Sequence, residues 1–332
     1  MQNSFSMSCT LIIAILVVYV SYRLYQYFYP APNINPQGKY VLISGCDTGF
    51  GNGLAIELDK QGFNVYAGVY SPKGKDSLTK ILSDRATVFQ LDITKQDDID
   101  AAYELVTQKT KVLHALVNNA GIGAGGLIDW ISLDFMRRMM DVNFFGHVAM
   151  TKKFLPLLIA KRDSRVVNVC SAAGYLTNPG MAAYSASKYA FEAFSDCLRR
   201  EMAVWNLRVS IIEPGFMRTP IVDGHDRAVQ ELWNGLTNEV KDRWGEELLQ
   251  KQIDLVHTNV FIKYAENPAK VVRALRHAVM NSAPQIRYRP GWQSTYVMYP
   301  ISRAPDWIAD YLVMKGTITS PLPASVRNQL SD

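Results

Sequence analysis

Six short runs, YVLIS, NVYAGVY, ATVFQL, LHALVN, RVVNVC and LRVSII, recur along the chain, rich in β-branched residues and almost free of charge. Between them lie segments of helical length, among them Asn52 to Gln61, Asp97 to Lys109, Leu133 to Ala160 and Met181 to Trp205. Strands that alternate with helices need right-handed crossovers, so the economical solution is a parallel sheet with helices on both faces. The expected fold class is therefore α/β, a doubly wound parallel sheet. The 332 residues, 48% of them hydrophobic, are enough for one large domain with a full core.

Other classes are disfavoured by charge and cysteine usage. Lys and Arg exceed Asp and Glu by five (35 − 30) with the signs interspersed, which is weak support for a nucleic-acid partner but compatible with mild attraction to anionic membranes. Cys9, Cys46, Cys170 and Cys197 have neither metal-ligand spacing nor the density of a disulfide framework and read as free thiols. The scattered His114, His147, His225, His257 and His277 read as structural or exposed, so no metal is expected.

The N-terminus departs from the soluble pattern. From Met7 to Tyr22 the chain runs MSCTLIIAILVVYVSY without a charge, followed by Arg23 and then Tyr25, Tyr27 and Tyr29. That is slightly short of the ~20 apolar residues a bilayer takes, but a snorkelling arginine and interfacial tyrosines extend it. With no basic n-region or clear cleavage site, it reads as an uncleaved transmembrane anchor, and Arg23 places the following domain in the cytosol. Residues 1–35 are anchor and linker, 36–291 the main domain, and 292–332 a C-terminal amphipathic extension.

After the first strand comes SGCDTGFGNGLA, with Gly45, Gly49 and Gly51 at a strand-to-helix turn. Glycines there admit a pyrophosphate to the backbone and present a helix N-terminus to it. The loop lacks the Gly-Lys-Ser/Thr of a nucleotide-hydrolysing loop.

In company with four further motifs, this loop resembles that of the short-chain dehydrogenase/reductase family, a Rossmann-type fold. NNAG at Asn118 to Gly121, Asn143 in DVNFFG, Ser171 after RVVNVC, and YSASK from Tyr184 to Lys188 match the family's motifs in order over roughly Lys39 to Gly291. The resemblance implies a catalytic set of Asn143, Ser171, Tyr184 and Lys188. It also implies that Gly45, Asp47, Gly49, Phe50, Gly51, Asp92, Asn118, Ala120, Gly121, Tyr184, Lys188, Pro214, Gly215 and Thr219 contact a nicotinamide dinucleotide. Asp92 would touch the adenine, although an acid at a helix start also fits it.

Hydride exchange at an alcohol needs a proton moved as the hydride moves. A phenol titrates near 10, so a tyrosine doing this at neutral pH needs a positive neighbour. Tyr184 and Lys188 lie one helical turn apart on one face. Lys188 would also hold the ribose, Ser171 the substrate oxygen, and Asn143, by resemblance, a relay water.

No acid ends the second strand, where Val69, Tyr70 and Ser71 stand. Asp47 would repel a 2′-phosphate while Lys73 and Lys75 would attract one; we read the cofactor as NAD, with NADP as the alternative. GCDTGFGN, FEAFSDCLRRE, IIEPGFMRT and RYRPGW resemble the branch of microsomal retinol dehydrogenases, hydroxysteroid dehydrogenases and mitochondrial hydroxybutyrate dehydrogenase. An apolar terminus, unlike an Arg-rich presequence, favours an apolar alcohol or its ketone or aldehyde at the endoplasmic reticulum membrane over a small soluble acid. A catalytically silent nucleotide sensor is the other class, disfavoured by the intact Ser171, Tyr184 and Lys188.

Residues 220–264, with Val229, Leu232, Trp233, Leu236, Val240, Trp244 and Leu248 at helical spacing, fit either a substrate lid or a cover for the sheet edge. Trp307, Ile308, Tyr311 and Leu312 share one helix face, suited to the domain, a second subunit in a homodimer, or the bilayer.

Overall fold

The computed structural model describes residues 13–15, 17–21, 24–25, 28–220, 225–314 and 321–331. Its strands are β1 (Tyr40–Ile43), β2 (Asn64–Val69), β3 (Thr87–Gln90), β4 (Ala115–Asn118), β5 (Arg165–Val169), β6 (Arg208–Ile212) and β7 (Arg287–Tyr288). They form one sheet in the order β3-β2-β1-β4-β5-β6-β7, and every pairing is parallel. The helices are α1 (Gly49–Gln61), α2 (Pro72–Thr79), α3 (Gln96–Thr107), α4 (Leu133–Met140), α5 (Gly146–Ile159), α6 (Ala182–Glu201) and α7 (His225–Asn234). After these come α8 (Asn238–Trp244), α9 (Glu246–Thr258), α10 (Val260–Lys263), α11 (Ala269–Met280), α12 (Asp306–Met314) and α13 (Ala324–Ser331).

The apolar strand runs split between two cores because successive residues face opposite ways. Val41 and Ile43 of β1 join Leu54 and Leu58 of α1 and Val271 and Leu275 of α11 on one face. Leu42 joins Ile99 and Val106 of α3 and Met150 and Phe154 of α5 on the other. A side chain of this size contributes about 1.5–3 kcal/mol when fully buried, so both faces hold the sheet. The strand order reverses between β1 and β4, which opens a crevice at their C-terminal ends.

Several local features depart from the sequence reading. The expected helix from Leu133 to Ala160 is interrupted by a π-helical turn, Asp141–Phe145, which carries Asn143 into the interior with no exposed surface. Helix α2, not anticipated, is started by Ser71, whose hydroxyl accepts from the Gly74 N–H at 3.0 Å, with Pro72 in the first turn. Strand β7 has only two residues, too short for any sequence pattern.

The segment from 220 to 264 supplies α7 to α10. Trp233, Leu248 and Leu249 pack on Leu127 and Trp130 of the β4–α4 connection, so these helices brace that loop. Trp130 meets Trp233 at 5.1 Å and Trp244 at 6.1 Å between ring centroids, and the Trp244 indole donates to Asp129 at 2.7 Å.

Half of the expected anchor, Met7 to Tyr22, falls outside the described residues; residues 13–15 and 17–21 are helical and exposed. Among the described residues no helix is long and apolar enough to cross a membrane. On α12, Trp307, Tyr311 and Leu312 are exposed and Ile308 is half-buried.

Candidate active site

The crevice is built around the turn after β1. Gly45 has φ +71°, and a β-carbon there would lie 2.6 Å from the Ala120 Cα, so only glycine lets the turn after β1 meet the turn after β4. Side chains lock that approach. Asn119 donates to the Ser44 and Gly45 carbonyls at 3.0 and 2.9 Å, while the Ser44 hydroxyl accepts from the Asn119 and Ala120 N–H groups at 3.1 and 3.2 Å. Gly51 packs beneath, where a β-carbon would be 2.4 Å from the Gly45 carbonyl oxygen. Asn119 was not singled out from sequence; its only signal is being the second residue of NNAG.

Helix α1 then opens on the crevice with no side-chain cap at Thr48 and no acid in its first turn. Its free N–H groups and partial positive charge are suited to a diphosphate. Gly49, at φ +64°, has only the Thr219 methyl within 4 Å of a would-be β-carbon, at 3.8 Å, which leaves space for such a group. A cleft of about 580 Å³ runs from here past Gly45, Asp47, Phe50, Tyr70, Asp92, Ala120, Gly121 and Thr219. Leu91, Ile93, Thr94 and Arg138 line it as well and were not anticipated.

Two cleft carboxylates already have protein partners. Asp47 accepts from the Tyr70 and Ser71 N–H groups at 2.7 and 2.8 Å and from the Ser71 hydroxyl at 2.7 Å, tying the first turn to the end of β2. Asp92 accepts from the Thr94 N–H at 3.0 Å and hydroxyl at 2.7 Å, so the bland role of an acid in a turn is filled while the residue also lines the cleft. Asn118 does not line it. It is fully buried and donates to Thr151 and Asn168, both at 2.9 Å, bracing β4 from beneath.

A second cavity, of about 190 Å³, continues from the first through Phe50, Asn119, Gly121, Ile122 and Thr219. Ser171, Tyr184 and Lys188 line it together with Pro214 and Gly215, and most of the remaining wall is apolar, including Leu176, Met181, Phe216, Met217 and Met298. The Ser171 oxygen accepts from the Ala173 N–H at 3.1 Å, which leaves its O–H proton to donate to a substrate oxygen. Lys188 is buried, donates to the Val169 carbonyl at 3.1 Å and lies 5.7 Å from the centre of the Tyr184 ring.

Asn143 pairs with the Ile122 backbone in both directions, at 2.9 and 3.0 Å, and donates to the Ser187 hydroxyl at 3.2 Å. Ser187 in turn donates to the Tyr184 carbonyl at 2.7 Å, so Asn143 fixes the helix that carries Tyr184. A β-carbon on Gly121 would lie 3.3 Å from the Asn143 Oδ1 and 3.9 Å from the Lys188 Nζ; its absence leaves room between them.

Electrostatics support this arrangement. His147 donates from Nε2 to the Ala120 carbonyl at 2.8 Å and stacks on Phe191; burial, with Lys188 adding, pulls its imidazole down to about 3. It is therefore neutral beside Lys188. Below Pro214, burial and then Glu192 push the Glu213 carboxyl up to about 7, against the pull of Arg289 and Arg287 at 2.7 and 2.8 Å.

A cleft suited to a dinucleotide, joined to an apolar cavity lined by Ser171, Tyr184 and Lys188, fits a nicotinamide-dependent oxidoreductase. A family model for short chain dehydrogenases matches residues 39–230. The 17-beta-hydroxysteroid dehydrogenase type 6 of Bos taurus is 36% identical over 293 residues, covering 87% of this chain and 90% of that one. Retinol dehydrogenase 16 of Rattus norvegicus is 37% identical over 292 residues, covering 86% and 90%. The chain belongs to the short-chain dehydrogenase family and is an NAD(P)-dependent oxidoreductase. A short chain dehydrogenase/reductase from Burkholderia phymatum, crystallised with NAD, shares the fold at 19% identity with a TM-score of 0.66, over 80% of this chain and 93% of that one.

Tyr184→Phe removes the phenolic oxygen that the proton transfer would use and is expected to lower kcat by about 10²–10⁴-fold with cofactor affinity nearly unchanged. Lys188→Ala is expected to damage both. Steady-state kinetics with cofactor titration by fluorescence checks the pair; wild-type turnover in Tyr184→Phe, or an unaltered cofactor Kd in Lys188→Ala, contradicts the respective role.

Proposed function

We propose that the protein is a membrane-anchored, NAD-dependent dehydrogenase of an apolar alcohol, a hydroxysteroid or a retinol. The observation that carries the substrate class is the apolar wall of Leu176, Met181, Phe216, Met217 and Met298 leading to Ser171 and Tyr184. Such a wall provides burial for a hydrocarbon skeleton, and Lys188, the charged side chain lining the same cavity, is engaged by the Val169 carbonyl. The relatives' names, a hydroxysteroid and a retinol dehydrogenase, support the same two classes.

In this reading the bound nicotinamide supplies hydride exchange. Gly45, Gly49, Phe50 and Gly51 would hold the diphosphate, and Asp92 would flank the adenine. Ala120, Gly121, Pro214, Gly215 and Thr219 would border the rest of the cofactor. Ser171 orients the substrate oxygen, Tyr184 takes or returns its proton, and Lys188 supplies the positive charge that favours phenolate. The gap beside Gly121 admits a water between Lys188 and Asn143, through which the proton reaches solvent.

The charge-free run from Met7 to Tyr22 supports an anchor in the endoplasmic reticulum membrane with the catalytic domain facing the cytosol. Helix α12, with Trp307 exposed, offers a further contact for membrane or a second subunit.

Three measurements test these statements. Membrane-bound enzyme assayed with sterols, retinols and hydroxybutyrate, with both cofactors, is expected to turn over a sterol or a retinol; activity confined to hydroxybutyrate overturns the substrate class. Carbonate should leave the full chain in membranes but extract a chain lacking Met1 to Tyr29; retention of the shortened chain places the anchor elsewhere.

For the cofactor, wild type is expected to favour NAD, because Asp47 faces the cleft and would repel a 2′-phosphate. Asp47→Ser with Thr48→Arg should raise the NADP to NAD ratio of kcat/KM at least about tenfold, or ~1.4 kcal/mol. An unmoved ratio shows that the ribose is read elsewhere.

A further inference from the structure

The opposite end of the sheet carries a second polar cavity, of about 490 Å³, at the N-terminal ends of the central strands. Five cations line it, Lys39, Lys161, Arg162, Arg165 and Arg208, against one acid, Asp163. Asp163 is already committed: its Oδ1 accepts from the Arg208 Nε and Nη2 at 3.0 and 2.9 Å and from the Asn206 amide at 2.7 Å.

Arg165, the first residue of β5, is the unusual member. It is 2% exposed, and among the described residues no carboxylate lies within ion-pair distance of it; the one acid that compensates it, Asp163, acts from further off and is in direct contact with Arg208 instead. Its Nη atoms donate to the backbone carbonyls of Asp163 and Asn281 at 2.8 and 2.7 Å, and its Nε has no hydrogen-bond partner. A buried guanidinium whose only counter-ion is shared and not in contact is costly. His114 also lines the cavity, and burial, with Arg165 next, drops its imidazole to about 3, so it is neutral and offsets none of the positive charge. An anion in the cavity would supply what the protein does not.

Two features of the rim indicate the source of that anion. The linker that follows the apolar N-terminus is fastened here: Ile34 N–H donates to the Met280 carbonyl at 2.8 Å, Asn281 donates to the Ala31 carbonyl at 2.7 Å, and Ile34, Gln37 and Gly38 line the cavity. On another side Arg162 donates to the Val204 carbonyl at 3.2 Å, and Val204 and Trp205 are 71% and 43% exposed. An exposed valine and tryptophan beside a basic pocket suit the headgroup layer of a membrane.

We propose that this cavity binds a phosphate group, the chemistry shared by an anionic phospholipid headgroup and a soluble phosphate, with the headgroup favoured by the linker and Trp205. The preference for lipid rests on the anchored reading; the phosphate site itself does not.

The test uses the full chain in phosphatidylcholine nanodiscs, with the unfolding midpoint followed by tryptophan fluorescence. One arm adds inorganic phosphate against chloride at equal ionic strength, and the other replaces part of the phosphatidylcholine with phosphatidic acid. Wild type is expected to gain roughly 5 °C in at least one arm at saturation. A gain with inorganic phosphate identifies a soluble ligand, and one confined to phosphatidic acid identifies the headgroup. Lys39→Gln with Lys161→Gln, both at the rim, should keep the ligand-free midpoint and lose most of the gain, and Arg165→Met should lose it entirely. No gain in either arm, or an equal gain in the double variant, overturns the proposal, whatever carbonate extraction shows about the anchor.

Discussion

The clamp between the turns after β1 and β4 is the interaction on which the rest of this molecule depends. Parallel strands bring the two turns side by side at the point where strand order reverses, and the Ser44 and Asn119 hydrogen bonds hold them there. With no β-carbon on Gly45, the turns close to van der Waals distance. The open N-terminus of α1 and the edge of Gly121 thereby face one crevice. Were the turns apart, the dinucleotide cleft and the apolar cavity would not share a wall.

Charge near Tyr184 is arranged by burial. Lys188 is buried among a backbone carbonyl, an aromatic ring and the neutral His147. A second cation there would compete with Lys188 for the same field. Glu192 and Glu213, the acids that act on the buried Cys170, are engaged by Arg287 and Arg289. That network also ties the two-residue β7 to β6, giving a very short edge strand a reason to stay.

The two ends of the sheet differ in chemistry. At the C-terminal ends, glycine turns and an uncapped helix leave N–H groups for a ligand. At the N-terminal ends, strand-initiating Arg165 and Arg208 gather cations around one acid. Conventional dehydrogenase chemistry uses only the first, and nothing in hydride transfer needs the second.

The repeating apolar runs alone determined a parallel sheet with two cores, because a run without alternation has to be buried on both faces. The glycine spacing, YSASK and Ser171 determined the family and the candidate chemistry, since each works through backbone and residue type at fixed positions. What tertiary structure decided is how side chains spend their hydrogen bonds. Asn118 and Asn119 are adjacent and identical in type, yet β4 points one into the interior to brace β5 and leaves the other to clamp the crevice. Asp47 and Asp92 turn out to hold turns as well as to line the cleft. The π-helical turn that buries Asn143, the helices that brace Leu127 and Trp130, and the cations gathered from three separate segments around Arg165 all depend on contacts between distant residues. A one-dimensional pattern carries no record of such contacts.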